Sequence, residues 1–159
     1  MTQDATFEDG GDRPLNLGAF DADDLKVLSA LAQDGVFSIT DMSWSPAKRQ
    51  LAFLINRLRH EDLDLATRMG RPVERVRSVL VVDNVEAVAS QGVDRSDKDT
   101  VLSILSIDFE AGEDADGHVL LTLAGDGAIR ARVEALEVAL RDVTRPYAAP
   151  SGKAPDHKL

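Results

Sequence analysis

The chain has 159 residues, 28 of them acidic and 18 basic, for a formal net charge of −10 and an isoelectric point near 4.7. It contains no cysteine, which excludes disulfides, thiolate catalysis and cysteine-ligated zinc. The acidic balance opposes binding to double-stranded DNA, where phosphates must be neutralised by surplus Lys and Arg. An aromatic share of 4% leaves little for stacking single-stranded bases.

A hydrophobic share of 43% and a charged share of 29% suit a soluble protein with one core. No apolar run approaches the length of about 18 residues that suggests a membrane span. The first residues lack the basic and apolar regions of a signal peptide. A cytoplasmic protein without a membrane partner is expected.

Residues 1–13 hold four acids, Gly10-Gly11 and one Arg, and read as a flexible acidic arm. The alternation in Leu15–Phe20 suits a short first strand. Asp21 then offers a helix N-cap, with Asp23 and Asp24 in the first turn. Leu25, Leu28, Leu31 and Ala32 recur at helical spacing, and Gly35 is a natural stop. This predicts one N-terminal helix.

After Gly35 the period becomes two. Val36–Trp44 and Arg49–Arg59 read as strands of a hairpin around Ser45-Pro46-Ala47-Lys48. The second has apolar residues on both faces, so a central position is expected. Residues 60–74 are polar, broken by Gly70-Arg71-Pro72, with a brief helical turn around Leu63, Leu65 and Met69. Arg75–Val82 is strand-like, and Asp83-Asn84 turns the chain into Val85–Ser90.

Asp94–Asp99 is a charged connection that could cap a short helix at Thr100–Ser103. Ile104–Phe109 resumes the strand pattern, and Glu110–Gly117 is an acidic loop. Val119–Ala124, Gly125-Asp126-Gly127 and Ala128–Val133 form the clearest hairpin. Glu134–Val143 fits a C-terminal helix through Leu136, Leu140 and Val143, or a continued strand through Leu136, Val138 and Leu140. Residues 146–159 read as a flexible tail. The whole predicts a single globular domain over 14–145, α+β in class and mainly antiparallel. It would be hairpin-rich, with about seven strands, one N-terminal helix and the C-terminal segment open between helix and strand.

The run Arg49–Glu61, the Arg75–Val82 strand, Ser90–Leu102 and the hairpin leading into Val133–Glu137 together resemble a bacterial family known as domain of unknown function 2948. The likeness spans roughly Leu15–Val143. His60 departs from the aromatic that ends the family's Asn-Arg-[Phe/Leu]-Arg run. The resemblance implies one soluble domain and supplies no catalytic residues.

The loudest signal is charge. From Lys48 to Arg77 there are eight basic residues (Lys48, Arg49, Arg57, Arg59, Arg68, Arg71, Arg75, Arg77) against four acids, a balance of +4 inside a chain of −10. Arg57 and Arg59 share one strand face, and Arg75 and Arg77 share another. If those strands are neighbours, the four guanidinium groups crowd together, which is unfavourable without carboxylates. They would either pair with Glu61, Asp62, Asp64, Glu74 or the Glu110–Asp116 loop, or form an open anion site. At least one of Arg57 and Arg59 is expected to be structural, Arg57 ahead of Arg59 because it lies nearer the apolar run.

Other constellations carry less. Asp94, Asp97 and Asp99 lack calcium-loop spacing, and no H-E-x-x-H, G-x-S-x-G or phosphate-loop pattern occurs. His60, His118 and His157 are scattered, and Trp44 suits a core edge. No metal, cofactor or catalytic residue is expected. Two readings remain: a non-catalytic interaction module binding an acidic protein partner through Arg57, Arg59, Arg68, Arg71, Arg75 and Arg77, or a small-molecule or nucleotide-binding protein or enzyme using the same arginines on a phosphate or carboxylate.

Overall fold

The computed structural model describes residues 13–148. Most of the expected acidic arm, and the expected tail from residue 149 onward, lie outside them. Among the described residues, the expected fold of about seven strands is corrected to eleven strands in one antiparallel sheet, with two short helices. The first strand, β1 (Asn16–Ala19), leads into helix α1 (Ala22–Ala32), where Asp21 caps the start by accepting from Asp24 N. Leu25, Leu28 and Ala32 form its buried stripe.

The expected strand over 36–44 is interrupted. Val36–Ser38 (β2) and Met42–Ser45 (β3) flank a 3-10 turn at Ile39–Asp41, where Ser38 N donates to Asp41 Oδ2 at 3.0 Å. Only β3 forms the hairpin with β4 (Gln50–Leu58); β2 bridges β4 to β7 (Val101–Ala111). Alternation alone cannot see a polar side chain diverting the backbone in this way.

A 3-10 turn at His60–Asp62 and helix α2 (Leu63–Met69) follow β4, with Gly70 closing α2 in the left-handed region at φ 67°. Strand β5 (Glu74–Val82) pairs with β4 along its length, and β6 (Val85–Gln91) lies at the far edge of the sheet. The short helix expected at Thr100–Ser103 is instead the start of β7, whose Leu102 and Ile104 point into the core. Strands β8 (Gly117–Leu123) and β9 (Ala128–Val133) form the expected hairpin. Gly125 and Asp126 turn it with positive φ of 83° and 70°, matching the twist of the flanking strands.

The ambiguous segment 134–143 contains a strand, β10 (Val138–Asp142), and no C-terminal helix. Ladders to β1 and β5 on its two sides decide this. Within the stretch expected to be tail, Tyr147–Ala148 (β11) pairs with β5.

The strand order is β1-β10-β5-β4-β2-β7-β8-β9-β6, with β11 on β5 and β3 on β4. Core residues come from both ends of that order, including Val85, Ala131 and Val133 at one end and Leu80, Val82 and Leu140 at the other. The sheet therefore bends round a single core. A backbone bond from Val85 N to Arg49 O at 2.9 Å ties its far edge back to the start of β4. Helix α1 packs against β1, β4, β7 and β10. Among the described residues, no helix is long and apolar enough to cross a membrane.

Candidate functional site

Side chains alternate across β4, so Leu51, Phe53, Ile55 and Arg57 share its core face and are all buried. The register with β5 adds Val82, Leu80, Ser78 and Val76 to that face, and β10 adds Asp142 opposite Ser78. Arg57 thus ends an apolar row with its side chain at 0% exposure. Its Nε donates to Ser78 Oγ at 3.0 Å and its Nη2 to Asp142 Oδ1 at 2.9 Å. Glu61, one turn past the strand, receives a bidentate pair from Nη1 and Nη2 at 2.9 and 2.8 Å.

Asp142 accepts further bonds from Ser78 Oγ (2.7 Å) and Leu15 N (2.8 Å). Burial works against the Arg57 charge. The hydrogen bonds and charges of Glu61, then Asp142, outweigh that penalty and hold its pKa above the ordinary guanidinium value. Burial likewise pushes Glu61 up, but Arg57 prevails and its pKa lies below the usual carboxylate range.

Arg59 is also buried, at 3% exposure, and binds Glu74 and Asp62. Asp62 in turn takes two bonds from Arg71, at 2.8 and 3.1 Å. The Arg71 hydrogen bond is the main cause of a lowered Asp62 pKa, with burial opposing and the Arg59 and Arg71 charges assisting. Of the arginines expected at a binding surface, Arg57 and Arg59 are buried and Arg71 is half-buried, and all three bind carboxylates of the protein itself.

Arg75 and Arg77 do not join them. The strands are antiparallel neighbours as anticipated, yet the register sets Arg57 opposite Val76, and Arg77 opposite Asn56. A one-residue offset sends Arg75 and Arg77 to the outer face. Arg75 is half-buried and donates to Asn56 O and Oδ1, both at 3.2 Å. Arg77 is exposed, and Arg68 is exposed on α2.

The outer face gains an arginine the sequence reading missed. Arg141 on β10 stands opposite Val79 of β5, beside Arg77 on the diagonal, at a typical spacing of about 7–8 Å. It lies in the segment left open between helix and strand; choosing the strand would have placed it opposite Leu140's face. Arg77 and Arg141 make no ion pair with a described residue. Around them Leu54, Val79 and Val81 are half-buried, and Val143 is exposed. Asn56 also donates from Nδ2 to the Tyr147 hydroxyl on this face.

The remaining candidates are occupied elsewhere. Trp44 packs half-buried against the core, and His60 Nε2 lies 2.8 Å from Gln33 O. A cleft of about 310 Å³ on the outer face of the other half is lined by Ala89, Gln91, Glu110, Leu120, Ala128 and Arg130, with Arg130 paired to Glu110 at 3.0 Å. No cluster of three His, Asp or Glu among the described residues could hold a metal ion.

Comparison with known proteins agrees with the likeness drawn from the motifs. No curated protein and no solved structure matches the chain. A family model described as Protein of unknown function (DUF2948) matches residues 15–157, so the chain belongs to that family.

Proposed function

We propose that this member of the DUF2948 family is a non-catalytic binding module that takes an acidic segment of a partner protein on the outer face of β10, β5 and β4. The observation that carries the reading is the pair Arg77 and Arg141, exposed on one face at diagonal positions and without a carboxylate among the described residues. Like charges at neighbouring sheet positions repel. An anion seated between them relieves that repulsion.

The apolar side chains Leu54, Val79, Val81 and Val143 supply contact area next to the charges. Interfaces commonly join such an apolar centre to a polar rim. Guanidinium groups remain protonated at every working pH, so they suit holding and orienting an anion and not moving protons. A basic patch on a chain of −10 also orients an acidic partner, since the remaining surface repels it.

The test is fluorescence anisotropy with a labelled oligoglutamate peptide, at about 0.02 M and about 0.3 M salt. Binding at low salt that weakens at least tenfold at high salt, and is lost in the Arg77→Gln/Arg141→Gln double variant, is the expected result. No binding, or equal binding by the double variant, overturns the reading. Binding of inorganic phosphate but not of the peptide would replace the protein partner with a small anion.

A further inference from the structure

Strand β6 ends the strand order and pairs with β9 alone; among the described residues no other helix or strand packs along it. Its open side follows from the hairpin beside it. Leu123 N donates to Gly127 O, so Ile129, Ala131 and Val133 of β9 bond to β8. Ala128, Arg130 and Arg132 then turn their backbone groups toward β6, where they face Gln91, Ala89 and Ala87. The N–H and C=O groups of Val88 and Ser90 are left pointing to the open edge.

Sheet edges are ordinarily blunted by lysine, proline, a bulge or a covering element. Here the bulge between Val85 and Ala87, and the bond from Val85 N to Arg49 O, guard only the start of the strand. From Ala87 to Gln91 the sequence Ala-Val-Ala-Ser-Gln carries neither a charge nor a proline. Ala87, Ala89 and Gln91 are exposed, while Val88 and Ser90 are half-buried and Val88 packs against the core.

We propose that two copies of this chain pair through β6, antiparallel and centred on Ala89, as a two-fold symmetric dimer. Val88 of each copy then faces Ser90 of the other, and their outward N–H and C=O groups complete the ladder. A two-fold interface presents the same surface from both sides. The β6 edge meets that condition, because its outward residues Val88 and Ser90 flank Ala89 symmetrically. Alanines meet on the axis, so no bulky side chain blocks the approach.

Like charges stay apart in this arrangement. The two Glu86 positions fall about 20 Å apart along the strands and the two Arg130 positions about 14 Å apart across them. Both separations exceed the screening length of about 8 Å. Each charge is also paired within its own copy, Glu86 with Arg132 at 3.3 Å and Arg130 with Glu110 at 3.0 Å. What opposes the dimer is the net charge of −10 on each chain, a repulsion that salt screens. Dimerisation therefore strengthens with salt, opposite to the binding of an acidic segment at Arg77 and Arg141.

Sedimentation equilibrium of the full-length chain up to about 1 mM, at about 0.05 and about 0.5 M salt, should show monomer and dimer exchanging, with more dimer at high salt. Ala89→Lys sets like charges opposite each other on the axis and should return the protein to monomer with an unchanged circular dichroism spectrum. The chain has no native cysteine, so Ala89→Cys gives a second readout. Residues facing each other at a non-hydrogen-bonded pair have Cα atoms about 4.5 Å apart, within disulfide range. Under mild oxidation Ala89→Cys should cross-link about tenfold faster than Gln91→Cys, which faces Ala87 of the other copy. A protein monomeric at every concentration and salt overturns the proposal. So does a dimer that salt weakens or that Ala89→Lys leaves intact, and so does equal cross-linking at positions 89 and 91. If Ala89→Lys fails to fold, the cross-linking contrast decides alone.

Discussion

Arg57 and Asp142 stand 85 residues apart in the chain and 2.9 Å apart in the fold, with the arginine side chain fully buried. The pair sits where an apolar row on β4 runs out and where Leu15 anchors β1 through the same carboxylate. A buried ion pair of this kind need not stabilise more than apolar residues of equal volume would. Breaking one partner is another matter, because it strands the other charge.

Arg57→Leu should therefore cost about 3–5 kcal/mol of unfolding free energy, since Asp142 and Glu61 lose their main cation. Arg77→Gln on the outer face should stay within about 0.5 kcal/mol. Urea unfolding of the two single variants measures the contrast. Equal small losses would mean that Asp142 finds another donor, and the structural role given to Arg57 would fall.

Acid should destabilise the fold in a defined window. Glu61 and Asp62 have folded pKa values below their ordinary values, which are about 4.3 and 3.9. The unfolded chain therefore takes up protons first as the pH falls. The stability these groups confer is fully present above their unfolded pKa values and is lost as pH drops through the folded ones. Denaturation midpoints should be level from neutral pH to about 5 and decline below about 4. The Glu61→Gln/Asp62→Asn variant should be less stable at neutral pH and show a shallower decline; an unchanged slope would assign acid sensitivity to other carboxylates.

At the C-terminal side, the pairing of Tyr147–Ala148 with β5 and the Asn56–Tyr147 hydrogen bond add modest support. Ending the chain after Pro146 should lower the thermal midpoint by about 2–5 °C, near 1 kcal/mol for a domain of this size. Ending it after Ala148 tests residues 149–159 separately. Calorimetry on the two truncations checks this, and identical midpoints would show that β11 contributes nothing.

Local chemistry was readable from the chain wherever one residue decides one turn. Asp21 caps α1, Gly70 closes α2, and Gly125-Asp126 turns the β8–β9 hairpin, each through the conformations open to that residue type. The core face of β9, with Ile129, Ala131 and Val133, followed from period two alone. The concentration of arginines between positions 48 and 77 was equally visible, as was the need for carboxylates near any that crowd together.

What composition and spacing determined, then, was a cysteine-free, mainly antiparallel protein with an arginine-rich stretch that had either to pair internally or to stay open. Which arginines do which was decided by tertiary structure. The register between β4 and β5 is a non-local quantity, and shifting it by one residue would exchange the buried and exposed sets. The identity of Val138–Asp142 as a strand, and with it the placement of Asp142 below the sheet and Arg141 above, likewise came from the neighbours β1 and β5. The ten residues Glu134–Val143 carry too short a pattern to distinguish period two from 3.6, whereas ladders on both sides leave the backbone one way to satisfy its hydrogen bonds.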